Sequence, residues 1–176
     1  MDEVLPHAIQ MEASINEWEQ VGEVEKALAF KKSTAGNALK NANQALTAIR
    51  PALANTDNNN GLAAERATFH DFVVAYCHLV GHSEDRYNQR EGLKHLTKPI
   101  SIAVQQWLNL LNEKNDMMPY LLGTGDKHND EEMKRIFFKS MPNKWQDEFT
   151  SNGNNDISTA TVATILKFMK QQEATS

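Results

Sequence analysis

Few residues in this chain have types and spacings that could do chemistry. His70, Cys77, His78 and His82 form the only cluster with metal-ligand character. His78 and His82 are four residues apart, and that spacing puts both imidazoles on one helix face. A fourth ligand is missing, and Gly81 is expected to end the helix between the two. Surface histidines beside one buried thiol are therefore the better reading, and no metal is expected. Cys77 as a nucleophile would need a base and an oxyanion hole, and neither leaves a recognisable local signature here. Gly123-Thr-Gly-Asp126 looks like a fragment of a phosphate loop, but the preceding strand, the following Lys-Ser/Thr and the third glycine are absent. The acidic groups Glu84-Asp85, Asp130-Glu131-Glu132 and Asp147-Glu148 could supply paired carboxylates. The middle group sits where helix N-terminal acids belong, so capping explains it without catalysis. Trp107 and Trp145 could serve as stacking platforms for bases. Both lie on apolar stripes without interleaved Arg or Lys, and core packing is the expected role. No catalytic residue, cofactor or small-molecule substrate is expected, and the chain does not read as an enzyme.

The elements that would carry these residues are helical. The 176 residues fit one ordinary domain or two small ones. A hydrophobic content of 40% with 23% charged residues is a soluble globular profile. No apolar run approaches the roughly 18 residues needed to span a bilayer. The first residues, Met1-Asp-Glu-Val-Leu-Pro6, have no basic n-region or apolar h-region, so no secretory signal and no membrane association are expected. The single cysteine suits a reducing compartment, and a cytoplasmic location is the expectation. A net charge of −5 with scattered Lys and Arg argues against direct, strong nucleic-acid binding by this segment.

Apolar residues recur at helical spacing and nowhere alternate for long, which predicts an all-α fold. Ala8, Ile9, Ala13, Ile15 and Trp18 suggest a first helix. Leu39, Ala42, Leu46 and Ile49 suggest another, which Pro51 is expected to end. Phe69, Phe72, Val73, Tyr76 and Val80 form a stripe on a helix over about residues 62–80, with Gly81 as its stop. Val104, Trp107, Leu108 and Leu111 line a helix that Ser101 is expected to cap, since Pro99 disfavours helical geometry at Lys98. Met133, Ile136, Phe137 and Ser140 line the next. Val162, Ile165, Leu166 and Met169 line the last, with Ser158 or Thr159 as its cap. Turn-rich segments at 54–61, 122–130 and 151–156 separate these runs. Eight or nine helices result. Ser83-Glu84-Asp85 reads as a fresh helix start, which places a boundary near Gly81. Two small helical domains, residues 1–81 and 82–176, are expected.

The segment from Met133 to Phe149 runs as an apolar helix into Met141-Pro142 and restarts in a short helix carrying Trp145 and Phe149. This order, helix then Pro-x-x-Trp then helix, resembles the C-terminal part of retrotransposon Gag capsid proteins. Phe69-His-Asp-Phe72 to Tyr76 resembles the aromatic helix near the end of the Gag capsid N-terminal domain. The stretch from Leu93 to Leu111, with the Lys98-Pro99 turn and the Trp107 helix, occupies the place of the retroviral major homology region. Asn115-Asp-Met-Met-Pro-Tyr-Leu-Leu122 then precedes an acidic loop, as in copia-type LTR-retrotransposon Gag. Two departures are plain. Retroviral homology regions place a Gln and a Glu around the turn in a hydrogen-bond network, where Lys98, Pro99 and Ser101 stand here. The zinc knuckle, Cys-x-x-Cys-x4-His-x4-Cys, is absent.

The resemblance implies a two-domain α-helical capsid protein whose copies form a virus-like particle shell around the element's RNA. Its partner would be itself, in hexameric or pentameric capsomers, with RNA packaged through segments outside this chain. Small domains can close into rings by heterologous contacts, and each contact can be weak where many form at once. Lys98, Pro99, Ser101, Trp107 and Leu111 would form the homology-region-like turn and helix. Ile136, Phe137, Trp145, Phe149, Ile165 and Leu166 would build the C-terminal core. Met117, Met118 and Tyr120 are unusually apolar for a connection between helices, so they either roof that core or serve as assembly contacts. The rival reading is a small helical adaptor, or a domesticated Gag-derived module, that binds a partner peptide in a groove between helices.

Overall fold

A computed structural model of the chain describes residues 4–151 and 156–175. Among the described residues the fold is all-α, with nine α-helices, two short 3-10 turns and no strand. No helix there is long and apolar enough to cross a membrane. The chain separates into two compact units, Met1–Asp85 with Pro119–Gly123, and Arg86–Met118 with Thr124–Ser176.

The first unit contains α1 (Val4–Asn16), α2 (Glu23–Lys32), α3 (Gly36–Asp57), a 3-10 turn (Ala63–Glu65) and α4 (Phe69–Val80). Its centre is aromatic. Phe30 of α2 meets Phe72 and Tyr76 of α4 edge-on, at centroid distances of 5.5 and 5.2 Å, the geometry that ring quadrupoles favour. Ala8, Ala27, Ala42 and Ala45 are buried and small, which lets the helix backbones approach around these rings. Helix starts are satisfied from neighbouring helices. The Asp57 carboxylate, at the end of α3, accepts from the Glu23 and Val24 amides that open α2, at 2.6 and 3.1 Å. A Cβ on Gly22 would meet that carboxylate at 3.0 Å, so a side chain there would displace the Asp57 carboxylate by a few tenths of an ångström. Glu23 in turn accepts from the Phe69 amide that opens α4.

The second unit contains most of α5 (Asp85–His95), then α6 (Val104–Asp116), α7 (Asp130–Lys139), α8 (Asn143–Ser151) and α9 (Val162–Thr175); a second 3-10 turn, Met118–Tyr120, follows α6. Leu93, Trp107, Leu111, Met118, Ile136, Phe137, Trp145, Phe149, Ile165 and Met169 belong to one core, and Leu166 packs against it half-buried. Phe149 meets Phe138 and Phe168 edge-on at 5.5 and 5.2 Å. Asn129 and Glu132 form a reciprocal capping box at the start of α7, which uses the acidic first turn as local signals do. At the α7–α8 corner the Gln146 amide donates back to the Lys139 and Met141 carbonyls, satisfying groups that Pro142 leaves behind.

Several local expectations are corrected. Helix α3 passes through Pro51 and runs to Asp57. The lost hydrogen bond costs about 3 kcal/mol in a helix interior. Fully buried Leu53 and the Thr56 hydroxyl, bonded to the Ala67 carbonyl at 2.6 Å, offset it. Helix α4 begins at Phe69 rather than near 62, because Thr68 and Asp71 form a capping box that starts it there. Ser101 does not cap α6; Ala103 occupies that position and offers no side-chain acceptor. Thr161, not Ser158 or Thr159, bonds the Thr164 amide at the start of α9. Trp18 lies beyond α1 in a turn and is 45% exposed. Residues 152–155 of the expected 151–156 turn lie outside the described residues.

Candidate functional site

Polar side chains are joined across helices in both units; in the second, Asn115 and His128 exchange bonds at 2.9 and 2.8 Å and Glu132 lies 3.2 Å from Arg90, apart from the cluster at the Lys98 turn. That cluster surrounds residues 98–104. The Lys98 amide donates to the Ser140 carbonyl at 2.8 Å, which ties the turn to the end of α7. The Lys98 side chain, 4% exposed, brings its ammonium 2.9 Å from Glu173 Oε1 on α9. The same ammonium lies 5.7 Å from the centre of the Trp145 ring, within cation–π range. Both Glu173 oxygens accept from the Val104 amide at 3.1 Å. Glu173 thereby supplies the cap that Ala103 lacks, from a helix 69 residues away in sequence. Burial alone pushes the Glu173 carboxyl up; hydrogen bonds from Lys98 and Val104, with the Lys98 and Lys170 charges, overcome it and hold the carboxyl below its ordinary value.

One layer deeper, the Trp107 indole N–H donates to Ser140 Oγ at 2.8 Å, and that hydroxyl donates to the Phe137 carbonyl at 2.7 Å. Ser140 is buried, so it leaves neither the indole nor its own hydroxyl without a partner. This polar lattice holds the Lys98-Pro99-Ile100-Ser101 turn from both sides. Ile100 projects from it fully exposed. Pro99 and Ser101 are exposed as well, while Trp107 and Leu111 are core residues. Nothing in the lattice is a nucleophile beside a base; its chemistry is positioning.

In the first unit, Glu12 of α1 is 4% exposed. One carboxylate oxygen lies 2.7 Å from His70 Nδ1, and the other accepts from the Tyr120 hydroxyl at 2.8 Å. The His70 and Tyr120 rings meet edge-on at 5.3 Å. A carboxylate on Nδ1 fixes the imidazole tautomer, the orienting half of a catalytic triad. The neighbouring thiol is not an activated partner for it. Burial, and secondarily the Glu12 charge, push Cys77 up to about 12, the opposite of what a nucleophilic cysteine needs. The arrangement anchors residues 119–123 to the first unit.

The residues singled out from sequence are thus divided. Lys98 and Trp107 join one network. Ile136, Phe137, Trp145, Phe149, Ile165 and Leu166 lie in or against the core beneath it. Met118 is fully buried in that core and Met117 is half-buried. Tyr120 is half-buried and bonded to Glu12. Among the described residues no three His, Cys, Asp or Glu are placed to hold a metal ion. Sequence reasoning missed Glu173 and Glu12, and placed Ser140 on the lining face of its helix without its bond to Trp107. Glu173 is the only carboxylate on α9, which is its one local mark. Glu12 has none, because its partners are 58 and 108 residues away.

No known family model matches the chain, and no curated protein or solved structure matches it either.

Proposed function

We propose that this chain is a structural, self-assembling protein of the retrotransposon Gag capsid type, copia-like in the order of its motifs. Its copies would form hexameric and pentameric capsomers of a shell enclosing RNA in the cytoplasm, with the RNA held by segments outside this chain. The observation that carries the reading is the polar lattice around Lys98. The Gln–Glu network of retroviral homology regions is missing from the sequence, and at the corresponding turn Lys98, Glu173, Ser140 and Trp107 bond a different network. A turn held this way offers the exposed Ile100 in one geometry. Repeated, identical contacts need such preorganisation, because each weak contact cannot afford much ordering entropy.

Negative-stain electron microscopy with light scattering, on the purified chain over a concentration and salt series, tests this. Shells or tubes of ring-shaped capsomers are the expected outcome. A monodisperse monomer or dimer at every concentration would refute it and favour the helical adaptor.

A further inference from the structure

We infer that the turn after α1, carrying Trp18 between Glu17 and Glu19, docks into a cationic groove beside α7 of a second copy of this chain. This deepens the assembly reading by naming one pair of surfaces. The groove lies wholly in the second unit. It has a volume of about 190 Å³ and is lined by Lys94, His128, Glu132, Arg135, Ile136 and Lys139. Ile136 is buried in the core and supplies an apolar floor. Lys94, Arg135 and Lys139 are exposed and supply a positive rim, while the one carboxylate in the lining, Glu132, lies 3.2 Å from the Arg90 guanidinium and 3.3 Å from His128 Nδ1. Lys94 is paired with Glu91 at 2.7 Å and Arg135 with Glu131 at 3.5 Å. Exposed pairs of this kind exchange partners at little cost. Lys139 makes no ion pair among the described residues.

The proposed occupant has the complementary character. Glu17, Trp18 and Glu19 are all exposed. The turn is ordered by its own backbone, with the Trp18 amide on the Ile15 carbonyl at 3.0 Å and the Val21 amide on the Trp18 carbonyl at 3.3 Å. Trp18 is therefore presented by a preformed turn, so little ordering entropy is lost on docking. An apolar cavity of about 150 Å³ takes a benzene ring, so the groove is of a size for the indole. Arg and Lys around an indole add cation–π attraction, and the flanking carboxylates meet the cations of the rim. A Trp–Arg pair enclosed this way is the usual composition of an interface hot spot. Because the two surfaces differ, the contact is heterologous and runs head to tail, and it closes into a ring where the rotation permits.

Sedimentation velocity on the full chain tests this, at low and high salt over a concentration series, with acrylamide quenching of tryptophan emission alongside. Trp107 and Trp145 are 3% and 8% exposed, so quenching reports chiefly on Trp18. Protection of Trp18 is expected to rise with concentration and fall with salt. Trp18→Ala, and separately Arg135→Glu with Lys139→Glu, are expected to weaken association about tenfold or more. Adding Glu17→Lys and Glu19→Lys to the second variant restores complementarity and should recover most of the loss. Circular dichroism checks that these exposed substitutions leave the fold intact.

Unchanged association in Trp18→Ala, failure of the charge swap to restore it, or quenching independent of concentration overturns the contact. A groove that instead takes up a short RNA oligonucleotide, with binding lost in Arg135→Glu/Lys139→Glu and self-association unaffected by Trp18→Ala, also overturns it. Particles that persist in Trp18→Ala leave the assembly reading standing without this contact. Trp18-dependent oligomers that never grow into particles leave the contact standing without the shell.

Discussion

Replacing Glu173 by Ala removes two services at once. The Val104 amide at the start of α6 loses its acceptor, and a lost helix cap costs about 1 kcal/mol. The Lys98 ammonium, on a side chain only 4% exposed, loses its carboxylate. Breaking a fully buried pair costs about 3–5 kcal/mol. Water reaches this one, since the Glu173 side chain is 32% exposed, so about 1–3 kcal/mol is the appropriate scale. The total is about 2–4 kcal/mol, or roughly 4–16 °C in Tm for a chain of this length. Urea and thermal unfolding followed by circular dichroism at pH 7 measure it. Glu173→Gln keeps an acceptor for the amide and is expected to lose about half as much.

The pH dependence has a definite sign. The folded carboxyl lies below its ordinary value of 4.5, so the unfolded chain takes up the proton first as pH falls. The advantage of wild type over Glu173→Ala is full above pH 4.5 and is lost as pH falls through the lower folded value. A double cycle with Lys98→Met separates the pair from the cap, because residues in one network do not add. Glu173→Ala within about 0.5 kcal/mol of wild type, the scale of an ordinary surface substitution, would refute the reasoning. Strict additivity with Lys98→Met would refute the coupling.

Tyr120→Phe removes a hydrogen bond to the buried Glu12 carboxylate and is expected to cost about 1.5–3 kcal/mol in urea unfolding. Cys77 is expected to react with a disulfide reagent at pH 8 about a thousandfold more slowly in the native chain than in urea, since its thiolate is suppressed. The sign of its linkage follows: the folded thiol keeps its proton to about 12 while an unfolded one loses it near 9.0, so stability contributed by Cys77 falls as pH rises above 9.0. Trp107→Phe leaves the buried Ser140 hydroxyl without its indole donor and shrinks the core, for an expected loss of about 1–3 kcal/mol in the same assay.

Helix content was legible because it rests on local period. The Phe69 to Val80 stripe, the Trp107 helix and the break at Met141-Pro142 all appear where apolar spacing and turn residues put them. The core residues of the second unit were legible for the same reason: Ile136, Phe137, Trp145 and Phe149 lie on faces that must be covered. Helix ends were less so. Pro51 has a strong local preference that Leu53 burial and the Thr56 bond override. Ser101 has a good capping side chain, yet the cap comes from Glu173.

What the sequence determined by itself is therefore the all-α class and the faces that become buried, because both follow from spacings of three and four residues. Tertiary structure alone decided that Glu173 reaches Lys98 and Val104, that Ser140 joins Trp107 to α7, and that Glu12 binds both His70 and Tyr120. Those pairings span 33 to 108 residues. A polar side chain has no period that announces such a partner. Its pairing is set by where packing of the apolar faces leaves it, and by the cost of burying a charge or donor unmatched.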